Sequence, residues 1–164
     1  MNKIFFSADC HYNHKNILHF CSRPFKDVNE MNEAMIKNWN NAVDYSDTVY
    51  VLGDFSMGNP HSIIERLNGN IVFLKGDHDK WIDKYKWDER VSYAGYVKIL
   101  YYKDVSITLC HWPFREWYKR HYGSYDLHGH SHGTLTPLKN QLDVGVDCFN
   151  FEPVSLDKIK KILS

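Results

Sequence analysis

Apolar residues come in short runs that stop abruptly at polar groups. Residues 3–8, 48–52 and 71–74 each read as a buried strand. Residues 96–102 and 105–110 read as a hairpin closed at Lys103-Asp104, and residues 125–127 and 141–146 supply two further strands. Between the first two strands, Val28, Met31, Met35, Trp39 and Ala42 recur at helical spacing behind the capping-box pattern Asp27-x-x-Glu30, which predicts a helix to about Val43. Asn59-Pro60 opens a short helix ending near Asn68-Gly69, and Ser155 caps a last helix that runs to Leu163. Residues 9–25 form a long loop, and residues 80–90 a charged loop with helical turns around Trp81 and Trp87. Strands interleaved with helices and then mainly strands predict an α/β fold of two packed sheets with helices outside, in one domain over residues 1–164.

Five of the strand-like runs end in titratable groups. The first leads to Asp9-Cys10-His11, the second to Gly53-Asp54, and the third to Gly76-Asp77-His78-Asp79. Ile107-Thr108-Leu109-Cys110 leads to His111, and Tyr125-Asp126-Leu127 to His128-Gly129-His130-Ser131-His132. Open α/β sheets build their sites at the carboxyl ends of strands.

The 164-residue chain is long enough to bury a sizeable core. Twenty basic and 20 acidic residues cancel, so the basic footprint of a duplex DNA binder is absent. No apolar run approaches the roughly 18 residues of a membrane span, and the N-terminus has no signal-peptide pattern. These features predict a cytoplasmic protein without a membrane partner. Cys10, Cys21, Cys110 and Cys148 show no C-x-x-C spacing and are expected to be thiols. Ten histidines are many for this length, and several stand at the strand ends.

Asp9 and His11 lie two apart and point the same way in extended backbone, as do His130 and His132. With Asp54, Asp77 and His111 they make three carboxylates and four imidazoles. Mixed N/O ligands suit Mn²⁺, Zn²⁺, Fe or Ni better than Ca²⁺ or Mg²⁺ alone. Seven ligands suit two ions roughly 3.5–4 Å apart that share one carboxylate, which lowers the pKa of a bridging water and clamps both oxygens of a displacement at phosphorus.

The ordered blocks Asp9-x-His11, Gly53-Asp54, Gly76-Asp77-His78-Asp79, His111 and Gly129-His130-x-His132 resemble the calcineurin-like metallophosphoesterase family, over residues 5 to about 147. Asp9-Cys-His11-Tyr-Asn-His14-Lys-Asn16, with Arg23-Pro24-Phe25 and Val144-Gly-Val-Asp147, looks like a small bacterial and phage branch. The resemblance implies a four-layer α/β/β/α sandwich. It also implies two divalent cations, manganese foremost with Zn, Fe, Ni or Mg as alternatives. Asp9, His11, Asp54 and His132 would hold one; Asp54, Asp77, His111 and His130 the other. His78 would act at the leaving oxygen, oriented by Asp79. The implied activity is a metal-dependent phosphoric ester hydrolase, phosphodiesterase or phosphatase, on a small phosphorylated substrate, nucleotide or short oligonucleotide. The family usually carries Asn where this chain has Asp77, and the extra charge is expected to tighten the second metal and either slow catalysis or alter the choice of metal. Protonation of Asp77, or its pairing with Lys75 or Lys80, is an alternative.

Other readings stand beside these. His14 and Asn16 are either substrate-binding groups or loop hydrogen bonders. Arg23 is either a phosphate clamp or a salt bridge anchoring its loop. Trp112, Phe114, Trp117, Tyr118 and Tyr122 with Arg115, Lys119 and Arg120 are expected to flank the site, as base-stacking groups or as ordinary packing. His128 reads as structural. The competing function is a catalytically weak metal- or nucleotide-binding module; a nuclease on short nucleic acids is a further enzyme reading.

Overall fold

The computed structural model describes residues 2–164. Its first sheet has the order β4-β3-β2-β1-β9. β1 (Ile4–Ser7), β2 (Thr48–Leu52), β3 (Asn70–Leu74) and β4 (Val91–Tyr93) run parallel, and β9 (Val154–Ser155) pairs antiparallel with β1. The second sheet has the order β5-β6-β7-β8. β5 (Val97–Tyr102) and β6 (Val105–Cys110) form the expected hairpin, and β6, β7 (Tyr125–His128) and β8 (Gln141–Asp143) are parallel.

Alternation along the parallel strands sends side chains to two cores. On one face, Val49, Val51, Ile71 and Phe73 pack with Met31, Met35 and Trp39 of helix α2 (Val28–Ala42). On the other, Phe6, Leu52 and Leu74 meet Ile107, Leu109 and Leu127 of the second sheet, joined by Leu156 and Ile159 of the final helix (Leu156–Leu163). Asp27 caps α2, accepting from Asn29 N at 3.0 Å and Glu30 N at 2.9 Å. The Glu30 side chain returns to Lys26 N at 2.6 Å, one residue earlier than the capping box predicts.

The remaining short helices are Ile17–Phe20, inside the segment expected to be loop, and His61–Ile64 after Pro60. The outer face of the second sheet carries segment 112–124, with a single 3₁₀ turn at Arg120–Tyr122, where a fourth helical layer was expected. Asp126 accepts from Phe114 N at 3.2 Å, Gln141 donates to Phe114 O at 2.6 Å, and Tyr101 meets Tyr118 edge-on. These contacts hold the segment flat against the sheet. Among the described residues no helix is long and apolar enough to cross a membrane.

Candidate metal centre

Asp9 follows β1, Asp54 follows β2, Asp77 and His78 follow β3, His111 follows β6, and His130 and His132 follow β7. All five turns therefore open at the carboxyl ends of parallel strands. The turns are tight: Asp9, His11, Asp54, His130 and His132 all have φ between 47° and 67°, in the left-handed region. Such conformations cost of order 1–3 kcal/mol each and persist where the surroundings over-determine them. Here the backbone is held closely. His130 N donates to both oxygens of Asp9, at 3.1 and 2.8 Å, and His78 N donates to Asp54 Oδ1 at 2.9 Å. A Cβ on Gly129 would lie 2.6 Å from both Ala8 Cβ and Asp9 Oδ2, so only glycine lets these strand ends meet.

Asp54 lies at the centre. Its Oδ2 is 3.5 Å from His111 Nε2, 3.7 Å from His11 Nε2 and 3.9 Å from His78 Nε2. Asp77 Oδ2 lies 3.3 Å from His130 Nδ1 and 3.7 Å from His111 Nε2. Four sets bring one ligand atom per residue within 4.8 Å of each other: Asp9-His11-His132, Asp9-Asp54-His111 and Asp77-His111-His130, with Cys21-His132-Asp147 beside them. All seven side chains singled out in the sequence are thus gathered in one place.

Their chemistry fits a cation. His111 Nδ1 is 2.9 Å from Leu52 O, which sets it as the donor and leaves Nε2 facing Asp54 and Asp77. That Nε2 and both ring nitrogens of His11 are buried without a hydrogen-bond partner. Burial, reinforced by the positive fields of His132 and Arg23, pushes His11 down to about 2, so its ring is neutral. Burial, with Asp143 and Asp54 nearby, pushes the Asp9 carboxyl well above its usual range. A neutral His11 ring, with unpartnered ring nitrogens there and at His111 Nε2 beside crowded buried carboxylates, is a donor set that could hold a divalent metal.

Other residues depart from expectation. Asp79 does not orient His78. Its carboxylate accepts from Asp54 N at 2.7 Å, Phe55 N at 2.9 Å, Gly76 N at 2.9 Å and Trp81 Nε1 at 3.0 Å, so it ties the Asp54 turn to the Gly76 turn. Arg23 is buried and does not line the cavity over the ligand cluster. Its guanidinium donates to both oxygens of Asp147 at 2.8 Å, to Cys10 O at 2.9 Å and to Asp9 O at 2.7 Å. The loop-anchoring alternative is the one realised. Lys75 pairs with Asp83 at 2.8 Å, not with Asp77, which instead accepts from Trp112 Nε1 at 3.2 Å. Trp112 alone of the aromatic cluster reaches the ligands; Trp117 is buried under Arg120.

His14 lines the cavity of about 700 Å³ over the ligands, with its ring 6.0 Å from that of His78. Asn16 is exposed outside that lining and caps the short helix only through its backbone. His128 is buried against Gly129 O.

Three residues beside the site had no role in the sequence reading. Asp147 accepts from His132 Nδ1 at 2.7 Å, and Cys21 Sγ lies 3.3 Å from the same nitrogen. Burial opposes ionisation of Asp147, but the hydrogen bonds from His132 and Arg23 outweigh it and hold the carboxyl below its usual range. Asp143 accepts from Ser131 Oγ at 2.6 Å and Gly133 N at 2.9 Å, fixing the loop that carries His130 and His132. The polar end of Val144-Gly-Val-Asp147 was the available signal for Asp147.

No protein-family profile matches the chain. Among solved structures, a protein of unknown function from Aquifex aeolicus, AQ665, superposes with a TM-score of 0.76 over 99% of this chain and 100% of that one, at 22% identity, so the fold is shared. YfcE, a phosphoesterase from E. coli, reaches only 0.45 over 87% of this chain and 75% of that one, at 16% identity, too low to bear on function. The gene 66 protein of Mycobacterium phage L5 is 26% identical over all of this chain and 95% of its own length. The uncharacterised protein MJ1445 of Methanocaldococcus jannaschii is 37% identical over 176 aligned positions, 99% of this chain and 92% of the archaeal one. At that identity and coverage the chain belongs to the family of MJ1445.

Proposed function

We propose that the protein is a phosphoesterase of the calcineurin-like metallophosphoesterase type, acting with two divalent cations on a phosphodiester or nucleotide-type substrate. The observation that carries this reading is the convergence of Asp9, His11, Asp54, Asp77, His111, His130 and His132 at the strand ends, with buried imidazole nitrogens that no protein group satisfies. Asp9, His11, Asp54 and His132 would hold one ion and Asp54, Asp77, His111 and His130 the other, with Asp54 shared. Manganese suits this mixed N/O set, with Zn, Fe, Ni or Mg as alternatives. When bound, such a pair supplies Lewis acidity and a water of lowered pKa.

The chain's own residues do the rest. His78, with an exposed side chain at the cavity mouth, gives a proton from its ring to the leaving oxygen. Asp79 holds the Asp54 and Gly76 turns at fixed separation, which keeps the shared carboxylate and His78 in register. The open cavity accepts a small phosphorylated substrate or the end of a short oligonucleotide. Four cysteines without a disulfide fit a reducing, cytosolic setting.

The test is metal-stripped protein reconstituted with Mn²⁺, Ni²⁺, Zn²⁺ or Mg²⁺ and assayed on p-nitrophenyl phosphate and bis-p-nitrophenyl phosphate. Turnover that needs metal and is lost in Asp54→Asn and His78→Ala is expected. Absence of turnover with every metal, despite two bound ions, would transfer the assignment to a metal- or nucleotide-binding module. The feature favouring that second reading is Asp77, a third carboxylate facing an anionic substrate.

A further inference from the structure

A second cavity, of about 730 Å³, is lined by none of the seven metal-ligand candidates. His78 lines both this cavity and the one over the metal ligands, so the two meet at that side chain. The second cavity has the volume of a small-molecule site. Its aromatic wall is Trp81 and Tyr85, with ring centroids 5.5 Å apart and planes at 79°. Trp81 is anchored to the centre itself, because its Nε1 donates to Asp79 at 3.0 Å. Lys80, Lys84 and Lys86 also line the cavity. The ion-paired lysines of the described residues are Lys26, Lys75 and Lys158, which leaves these three without a carboxylate partner. Asp83, inside the same segment, is already engaged by Lys75.

Three free ammonium groups around an aromatic wall have a definite complement. The ligand is planar and aromatic at one end and anionic at the other. Position adds the rest, and here the argument rests on the proposed function. If His78 protonates the leaving oxygen, whatever leaves must lie beyond His78, away from the ligand cluster. We infer that this cavity binds the leaving group and that the leaving group is a nucleotide, its base against Tyr85 and its own phosphate among Lys80, Lys84 and Lys86. In the step itself, a water oxygen bonds to phosphorus and the P–O bond to the nucleotide breaks. The electron pair goes to the nucleotide oxygen, which takes its proton from His78, and the water's proton passes to solvent. The substrate class is thus a phosphoester of a nucleotide that carries a further phosphate.

The inference can be tested without turnover. AMP and adenosine are titrated calorimetrically into the metal-free full-length protein. AMP should bind, and adenosine should bind about tenfold more weakly, because it lacks the charged contacts. Lys84→Ala/Lys86→Ala should weaken AMP by about tenfold or more while leaving the adenosine affinity in place, and Lys84→Arg/Lys86→Arg should restore it. Tyr85→Ala should weaken both ligands. No binding of AMP, or equal binding by wild type and the lysine variants, would overturn the inference. The two readings fail separately. Turnover of bis-p-nitrophenyl phosphate without AMP binding removes the nucleotide cavity and keeps the phosphoesterase. AMP binding with the stated variant pattern, but no turnover under any metal, keeps the nucleotide cavity and removes the phosphoesterase.

Discussion

Replacing Arg23 with alanine should be among the most damaging single changes outside the ligand set. The guanidinium is buried and makes four hydrogen bonds to oxygen, two to the Asp147 carboxylate and one each to the carbonyls of Cys10 and Asp9. Truncation leaves the Asp147 carboxylate, itself largely buried, with His132 as its remaining side-chain partner. Removing one partner of a buried ion pair costs about 3–5 kcal/mol, because the other charge stays in the interior uncompensated. For a domain of this size that is a fall of about 6–20 °C in Tm. Arg23 also fixes the backbone at Asp9, and Asp147 holds His132, so metal affinity should fall by about 10–100-fold, as when an outer partner of a ligand is lost. Urea unfolding of the metal-free protein reads the first effect, and metal titration of Arg23→Lys, which keeps charge but not the fork, reads the second. A loss below about 1 kcal/mol, the range of an exposed pair, would refute the argument.

Three further outcomes follow from the same geometry. His11 is held far below its unfolded value near 6.5, so the unfolded chain binds a proton that the fold does not. That contribution is complete above pH 6.5 and fades as pH falls toward 2. The metal-free protein should therefore lose about 1 kcal/mol between pH 6 and 5 relative to His11→Gln in urea titrations. Equal slopes would show that His11 is solvated. Gly129→Ala, whose Cβ meets Ala8 and Asp9, should cost about 1–3 kcal/mol and lower the bound metal measured by mass spectrometry. Asp77→Asn removes a carboxylate shared by His111, His130 and Trp112, and should weaken metal retention while raising turnover. No change in either would discard the idea that Asp77 slows the reaction.

The strands that carry the ligands were legible because each apolar run stops at its polar groups, and α2 was legible from its spacing and its Asp27 cap. β4 and β9 were missed because three and two residues are too short to show a period. The strand expected over 141–146 ends at Asp143, since Gly145 turns the chain into a 3₁₀ turn at Val146–Cys148. Arg23 could not be assigned because its partner lies 124 residues away, and spacing carries no trace of such a pairing. Asp79 was misread for a related reason. Adjacency to His78 suggested a side-chain contact, whereas the nearest donors are backbone amides from the neighbouring strand's turn.

The two sheets are joined unevenly. Over most of their shared face they touch through Phe6, Leu52, Leu74, Ile107, Leu109 and Leu127, and apolar contact of that kind is non-directional. Directional links between the sheets gather at one tip, where Val146 N meets Ala8 O, His130 N meets Asp9, and His111 meets Leu52 O. The molecule is therefore built like a clothes-peg, pinned at the charged tip and free to settle elsewhere. Volume-conserving apolar exchanges along the jaws should therefore be tolerated, with the alignment of charges at the pinned tip left undisturbed.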